Sequence, residues 1–376
     1  MEIAQIHRAL AAAGSEPSWL VTVVRVEGSA YRHPGARLLF SRDGKLAGSI
    51  SGGCLEREVM RTGAWLTRQG ALLRSFDARR DEDGEGAHRS GCNGKVELLI
   101  EPVTEATRAV LAFAQRELQA QRSVALGTVL ACSSPQVRLG AQLVQGATAS
   151  LNEVADASLA QELASCLVDA LNGERRPYAR HRRGPFEALV EVVEPAPHVA
   201  LFGTGEDAVP LARFAAQLGW GVTVLAPHGG FATRDRFNGI APLRLGAVSE
   251  SVALAARYAK ALAVVMNHDY EQDRETLGAL LGSSVRYIGM LGPARRTQRM
   301  LAELRASERF SAARLACVFG PCGLHLGADT PESIALSVVA EMQAVLADAE
   351  AGFLRTRSAG IHERHTPLRL ARAEGA

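Results

Sequence analysis

From residue 198 onward the chain repeats one pattern: a short apolar run, a glycine or polar turn, then a helical stretch. The runs are residues 199–202, 221–225, 262–266, 285–288 and 316–319. Continuously apolar strands belong to parallel sheets covered by helices on both faces. Their alternation with helices predicts a doubly wound, Rossmann-like α/β sheet over residues 197–348. In such a sheet ligands bind at the carboxyl ends of the strands.

The turns at that edge carry the chemistry. The first strand runs into Gly203-Thr204-Gly205-Glu206-Asp207-Ala208, a GxGxxA sequence ahead of a helix predicted over 207–218. The first glycine allows the tight turn, the second lets a ligand approach the backbone, and Ala208 takes the helix-packing role of a third glycine. A dinucleotide site also needs an acidic residue at the end of the next strand to hold the ribose. That strand instead ends Val224-Leu225-Ala226-Pro227-His228, and Glu206 and Asp207 beside the turn would repel a pyrophosphate. The fold is therefore expected and NAD(P) is not. The third strand ends in Asn267-His268-Asp269, with Asp273 one turn on. The fourth ends in Gly289-Met290-Leu291-Gly292-Pro293, followed by Arg295 and Arg296. The last ends in Gly320-Pro321-Cys322-Gly323, ahead of a helix that Thr330 can cap, with Pro331 at its first position and Glu332 at its positive end. The candidate ligand residues of this half are Gly203, Gly205, His268, Asp269, Gly289, Gly292, Arg295, Gly320, Cys322 and Gly323.

The preceding 196 residues form a separate α/β domain, with a mixed sheet as the expectation. Strands are predicted at 19–26, 37–41, 45–50 and 96–101, a helix at 55–69 and a mobile acidic loop at 79–90. A softer region, 104–196, holds helices at 105–119 and 159–171, strand-like runs at 124–131, 137–139 and 187–193, and a Pro195-Ala196-Pro197 linker. Two cysteine loops stand out. In Gly48-Ser49-Ile50-Ser51-Gly52-Gly53-Cys54-Leu55-Glu56 the glycines end a strand and place Cys54 at a helix start, where the dipole favours the thiolate and neighbouring N–H groups suit an anion. Ser90-Gly91-Cys92-Asn93-Gly94-Lys95 surrounds a second thiol with glycines. The loop from Gly28 to Arg37 adds Arg32, His33 and Arg37 for an anionic ligand. The candidates here are Arg32, Gly52, Gly53, Cys54, Gly91, Cys92 and Gly94, with Cys54 and Cys92 as soft ligands or sulfur nucleophiles. Cys132, Cys166 and Cys317 read as packing residues.

Composition excludes several classes. A net charge of +2 with 47% hydrophobic and 22% charged residues gives no case for nucleic-acid or membrane binding. No apolar stretch approaches membrane-spanning length, and residues 1–8 lack the basic-then-apolar pattern of a signal peptide. The six cysteines are scattered without CxxC spacing, as expected of a reduced, cytoplasmic protein. Lysine occurs only at 45, 95 and 260, so an anion site would use arginine forks or backbone N–H groups. HExxH, P-loop, GxSxG and kinase signatures are absent. The tail, 349–376, is arginine-rich, aperiodic and expected to be disordered.

Taken in order, these blocks resemble the XdhC/CoxI family, accessory proteins of xanthine dehydrogenase and related molybdenum hydroxylases. The N-terminal signature lies in Gly28 to Gly35, Gly48 to Glu56, and Gly91-Cys92-Asn93-Gly94 leading to Leu99-Ile100-Glu101-Pro102. The C-terminal signature lies in the 203–208 turn, Asn267-His268-Asp269, Tyr287-Ile288-Gly289-Met290-Leu291-Gly292, and Gly320 through Glu332. The resemblance implies a maturation chaperone without turnover. Such a protein binds the molybdenum cofactor (molybdopterin or its dinucleotide form) as cargo, shelters it while a cysteine desulfurase supplies its terminal sulfur, and delivers it to an apo molybdenum hydroxylase. It also implies a homodimer, with Cys54 or Cys92 toward the molybdenum. The residues alone leave two alternatives: an NAD(P)-dependent oxidoreductase, or a sulfur-transfer protein carrying a persulfide on Cys54 or Cys92.

Overall fold

The computed structural model describes residues 2–28, 30–77, 94–173, 178–183, 186–226, 234–306 and 309–356, with the backbone alone at 54, 178–180, 183 and 234. Gly91, Cys92, the whole acidic loop at 79–90, Pro227, His228 and residues 357–376 lie outside this set. The chain divides into two compact units, Met1–Pro195 and Ala196–Ala376.

The first unit holds two sheets. One has the order β3-β2-β1-β5-β4, built from β1 (Ser18–Gly28), β2 (Arg37–Ser41), β3 (Gly44–Gly48), β4 (Leu72–Asp77) and β5 (Gly94–Pro102). The other has the order β8-β7-β6-β10-β9, built from β6 (Val124–Ala131), β7 (Gln142–Gln145), β8 (Ser150–Asn152), β9 (Tyr178–Arg183) and β10 (Phe186–Val193). Every strand pair in both is antiparallel. The separate α/β domain is as expected, but its sheets are antiparallel instead of mixed, because hairpins and a meander replace helical crossovers. The predicted strand at 137–139 is a turn, and the chain pairs only from Gln142.

Among the described residues four α-helices complete the unit: α1 (Glu2–Ala13), α2 (Cys54–Leu66), α3 (Glu105–Gln119) and α4 (Ala157–Leu171). The apolar face of α1 (Ile3, Ile6, Leu10) packs with Val110, Leu111 and Phe113 of α3 over Leu20, Leu39 and Leu126. Val59 of α2 lies against Trp19, Val21 and Phe40 on the other side of the first sheet. A buried Arg37–Glu191 ion pair joins β2 to β10, and so ties the two sheets together.

The second unit is the expected parallel sheet. Its strands are β11 (His198–Phe202), β12 (Gly221–Ala226), β13 (Leu243–Leu245), β14 (Ala261–Val265), β15 (Tyr287–Met290) and β16 (Val318–Phe319), in the order β13-β12-β11-β14-β15-β16. All are parallel. Numbered from its own first strand this is 3-2-1-4-5-6, the dinucleotide-fold order, with its switch point between β11 and β14. Helices α5 (Ala208–Gln217) and α10 (Pro331–Ala347) cover one face through Leu211, Ala215, Val338 and Met342. Helices α6 (Val248–Ala255), α7 (Tyr270–Leu281) and α8 (Ala294–Arg305) cover the other through Val252, Leu277 and Met300. The short α9 (Ala312–Leu315) precedes β16. As predicted, the Thr330 hydroxyl accepts from Ser333 N–H at 3.2 Å and Pro331 opens α10.

Among the described residues no helix is long and apolar enough to cross a membrane. No group of three His, Cys, Asp or Glu side chains among them is arranged to hold a metal ion.

Candidate functional site

In the first unit the register brings three flagged stretches to one end of the first sheet. Gly28 at the end of β1 pairs with Gly94 at the start of β5, and Asp77 at the end of β4 pairs with Lys95. Leu38 at the start of β2 pairs with Gly48 at the end of β3. The Arg32 loop, the Gly48-to-Cys54 turn and the two ends of the segment carrying Gly91 and Cys92 therefore leave the sheet at the same end.

The Gly48-to-Cys54 turn is rigid, and the reason is Glu56. Its carboxylate accepts from Ile50 N–H (3.0 Å), Ser51 N–H (2.7 Å), Gly53 N–H (3.0 Å) and the Ser49 hydroxyl (3.0 Å), and also from the Ser51 hydroxyl. Burial opposes its ionisation, yet the bonds from Ser51 and Ser49 outweigh that and hold the carboxyl below its usual range. Gly48 has φ +78°, and a Cβ there would lie 2.1 Å from the Arg37 carbonyl oxygen, so only glycine fits. Gly53 precedes α2 at φ +112°, Gly52 is exposed beside it, and Cys54 is the first residue of the helix.

This geometry changes two expectations. Three N–H groups of the turn, read from sequence as open to an anion, are taken by Glu56. Arg37, counted as a ligand-facing cation, is buried in its pair with Glu191 and donates to the Gly35 carbonyl at 2.8 Å. Arg32 stays partly exposed and donates to both carboxylate oxygens of Glu2, each at 3.1 Å. Glu56 itself escapes the sequence reading, although its place three residues after the helix boundary is the capping-box spacing.

In the second unit the flagged turns lie at the carboxyl edge of the sheet. At the switch point the β11 and β14 turns touch: Gly203 has φ +136°, and a Cβ there would sit 2.4 Å from the Met266 carbonyl oxygen. His268 adopts φ +61°, a strained conformation for a side-chain-bearing residue, and is 57% exposed, with Nε2 3.7 Å from Asp207 Oδ2. Its ring lies 3.4 Å from where a Cβ at Gly205 would be. The turn is held from below by Asp273, which accepts from Asn267 N–H (3.2 Å) and Nδ2 (3.0 Å) and faces Arg296 at 2.8 Å. Burial pushes the Asp273 carboxyl up, against the opposing pull of Asn267 and Arg296. Asp269, read as a ligand residue, caps α7 through Gln272 N–H at 2.9 Å.

The β11 turn is covered by a residue the sequence did not flag. Arg236, in a 3₁₀ turn (Arg234–Phe237), donates to the carbonyls of Thr204 (2.8 Å) and Gly205 (3.3 Å) and pairs with Glu206 at 3.0 Å. A cavity of about 550 Å³ beside it is lined by Glu206 of that turn, by Arg236, by Arg213 and Phe214 of α5, and by Pro331 and Glu332 at the start of α10.

The remaining flagged residues divide. Gly292 (φ +128°) lies in the turn after β15, and exposed Arg295 follows in the first turn of α8. Gly289 falls inside β15, where a Cβ would meet Tyr287 and Cys322, so it is a packing glycine. Gly320 abuts Thr297, and Gly323 (φ +110°) abuts the Ser337 hydroxyl. Cys322 packs against the core behind the last turn. Burial, with Glu341 nearby, pushes its thiol up to about 12, so it is a neutral thiol. Glu341 also accepts from the Tyr287 hydroxyl (2.6 Å) and Gly323 N–H (3.0 Å).

A dinucleotide-type sheet with an acidic, arginine-covered first turn, in one chain with an antiparallel unit that carries a rigid cysteine turn, defines a two-unit protein with a Rossmann-like domain. Residues 199–342 match the XdhC Rossmann domain, and residues 11–77 match the XdhC and CoxI family. A Bacillus subtilis (strain 168) protein named as a probable xanthine dehydrogenase subunit is 30% identical over 330 residues, covering 87% of this chain and 92% of that protein. The uncharacterised Escherichia coli (strain K12) protein YqeB is 29% identical over 171 residues, 46% of this chain and 31% of its own. The crystal structure of a Bacillus halodurans protein described as a xanthine dehydrogenase superposes with a TM-score of 0.76 at 24% identity, over 93% of this chain and 97% of that one. The chain belongs to the XdhC/CoxI family.

Proposed function

We propose that this chain is an accessory protein of a xanthine dehydrogenase-type molybdenum hydroxylase. It binds the molybdenum cofactor as cargo, holds it during sulfuration by a cysteine desulfurase, and hands it to the apo-hydroxylase as a homodimer without turnover of its own. Family membership over both units supports the accessory role. The observation that carries the cargo reading is the end of the first sheet, where the Cys54 turn, Arg32 and the ends of the Cys92 segment leave together. A thiolate suits molybdenum and arginine suits the pterin phosphate. Glu56 fixes the backbone of the turn that leads into Cys54. The strained His268 and the Gly203 turn mark a second ligand edge, where His268 can donate to an anionic group.

A nicotinamide oxidoreductase is suggested by the strand order and the Gly203–Ala208 turn, and is opposed by the acidic Asp207 beside that turn and by Ala226-Pro227 where an acidic ribose ligand would stand. The test is reconstitution. Apo-hydroxylase mixed with the loaded chain, a desulfurase and cysteine should gain activity, and omitting the chain or the desulfurase should abolish the gain. Activity independent of the chain would overturn the reading. Sulfide transfer that fails in Cys54→Ala or Cys92→Ala while pterin binding persists would favour the persulfide alternative.

A further inference from the structure

The outer face of α2 does nothing for the fold. Its exposed positions are Arg57, Arg61 and Trp65, continued by Arg68 in the following 3₁₀ turn (Thr67–Gln69). Spacings of four, four and three residues put all of them on one stripe of the helix surface. Cys54, three residues before Arg57, opens the same stripe by position. Trp65 is 62% exposed, and the Arg68 guanidinium lies 5.8 Å from its ring centroid. The acidic residues of the helix are used elsewhere: Glu56 holds the turn, and Glu58 pairs with Arg74 at 3.0 Å. Among the described residues no carboxylate pairs with Arg57, Arg61 or Arg68.

An exposed tryptophan on one stripe with arginines that pair with no described carboxylate has the composition of a protein-binding hot spot. Three cations around one aromatic are too few to follow a nucleic-acid backbone, whose affinity grows with the number of phosphates contacted. A protein face needs only one apolar recess for the indole and a few carboxylates around it.

We infer that the Arg57–Arg61–Trp65–Arg68 face of α2 is the docking surface for an acidic patch on a partner protein. Resting on the function proposed above, that partner is the apo-hydroxylase that receives the cargo. A partner seated on this face is brought alongside the turn that carries Cys54, so docking and delivery use one helix. The arginines steer the encounter and the tryptophan sets the lifetime of the complex.

The test uses the full chain, Trp65→Ala, and the triple charge reversal Arg57→Glu/Arg61→Glu/Arg68→Glu. Affinity for the apo-hydroxylase, made without cofactor, is measured at two salt concentrations, with pterin content and unfolding midpoint measured alongside. The expected result is at least a tenfold weaker Kd for Trp65→Ala and at least a hundredfold weaker Kd for the reversal. Wild-type binding should weaken as salt rises, while pterin content and midpoint stay at wild-type values in both variants. Because these side chains are exposed, Trp65→Ala keeps the test decisive even if the triple variant folds poorly. Wild-type affinity in both variants, or a wild-type chain that carries pterin yet does not bind the apo-hydroxylase, would overturn the inference. Hydroxylase binding that depends on α2 in a chain without pterin would sustain the docking face and sink the cargo reading.

Discussion

Glu101 offers a quantitative test of how the first unit is held together. It lies on β5 opposite Leu20 and is 3% exposed, and its Oε1 has no hydrogen-bond partner among the described residues. Burial raises its carboxyl from the ordinary 4.5 to about 7, against the attraction of Arg138 and Arg37 and with a push from Glu153. A carboxyl raised on folding penalises the folded state. The penalty is absent below the unfolded value, grows as pH rises toward the folded value, and is complete above it. Between 4.5 and 7 it amounts to about 3 kcal/mol, at 1.36 kcal/mol per pH unit. Glu101→Gln removes the charge and keeps the shape. Its amide meets its own unpaired-donor cost, but that cost does not vary with pH. The quantity to read is therefore the change in relative stability: the variant should gain roughly 2–3 kcal/mol on wild type between pH 5 and pH 8. Urea unfolding followed by Trp19 fluorescence, in a Trp65→Phe/Trp220→Phe background, reports this unit. A variant-minus-wild-type difference that is flat from pH 5 to pH 8 would refute the burial argument.

Three further outcomes follow from the sites. Glu56→Ala should destabilise the first unit by about 2–4 kcal/mol, because it strands several buried donors. Since Glu56 is held below 4.5, its contribution is present above that pH and lost as pH falls below it; chemical denaturation at pH 7 and pH 3.5 checks the sign. Gly203→Ala forces a Cβ against the Met266 carbonyl in a left-handed conformation and should cost about 3 kcal/mol or more, seen as a lowered unfolding midpoint. Reduced nicotinamide should show no fluorescence change on mixing with the chain, and saturable binding would count against the Arg236-covered turn.

The second unit is legible in the sequence because its strands are apolar on both faces and its turns are marked by glycine. The last helix can be placed to the residue because Thr330, Pro331 and Glu332 spell its start. Two strands of the second antiparallel sheet are not legible. Tyr178–Arg183 is almost wholly polar or basic and is a strand only because its backbone pairs with β10. Gln142–Gln145 is four residues long, too short for a period-two signal. At the candidate sites, local sequence marks the glycine turns but not the side chains that hold them. Arg236 over Thr204, and Asp273 between Asn267 and Arg296, join elements tens of residues apart. The reach of Arg37 to Glu191 spans two sheets, so a cation that looks solvent-facing in a loop-rich sequence becomes a buried strut. Gly289 reads as a turn residue because the apolar run begins two residues before the strand does; the strand itself carries it inward onto Tyr287.

The most direct test of the central claim is the pterin content of the chain purified from cells that make molybdopterin, with the bound material oxidised to its fluorescent form. The account predicts near one pterin per chain or per dimer, and a sharp fall in Cys54→Ala without loss of the folded state. No pterin in the wild-type chain, or undiminished pterin in both Cys54→Ala and Cys92→Ala, would contradict it.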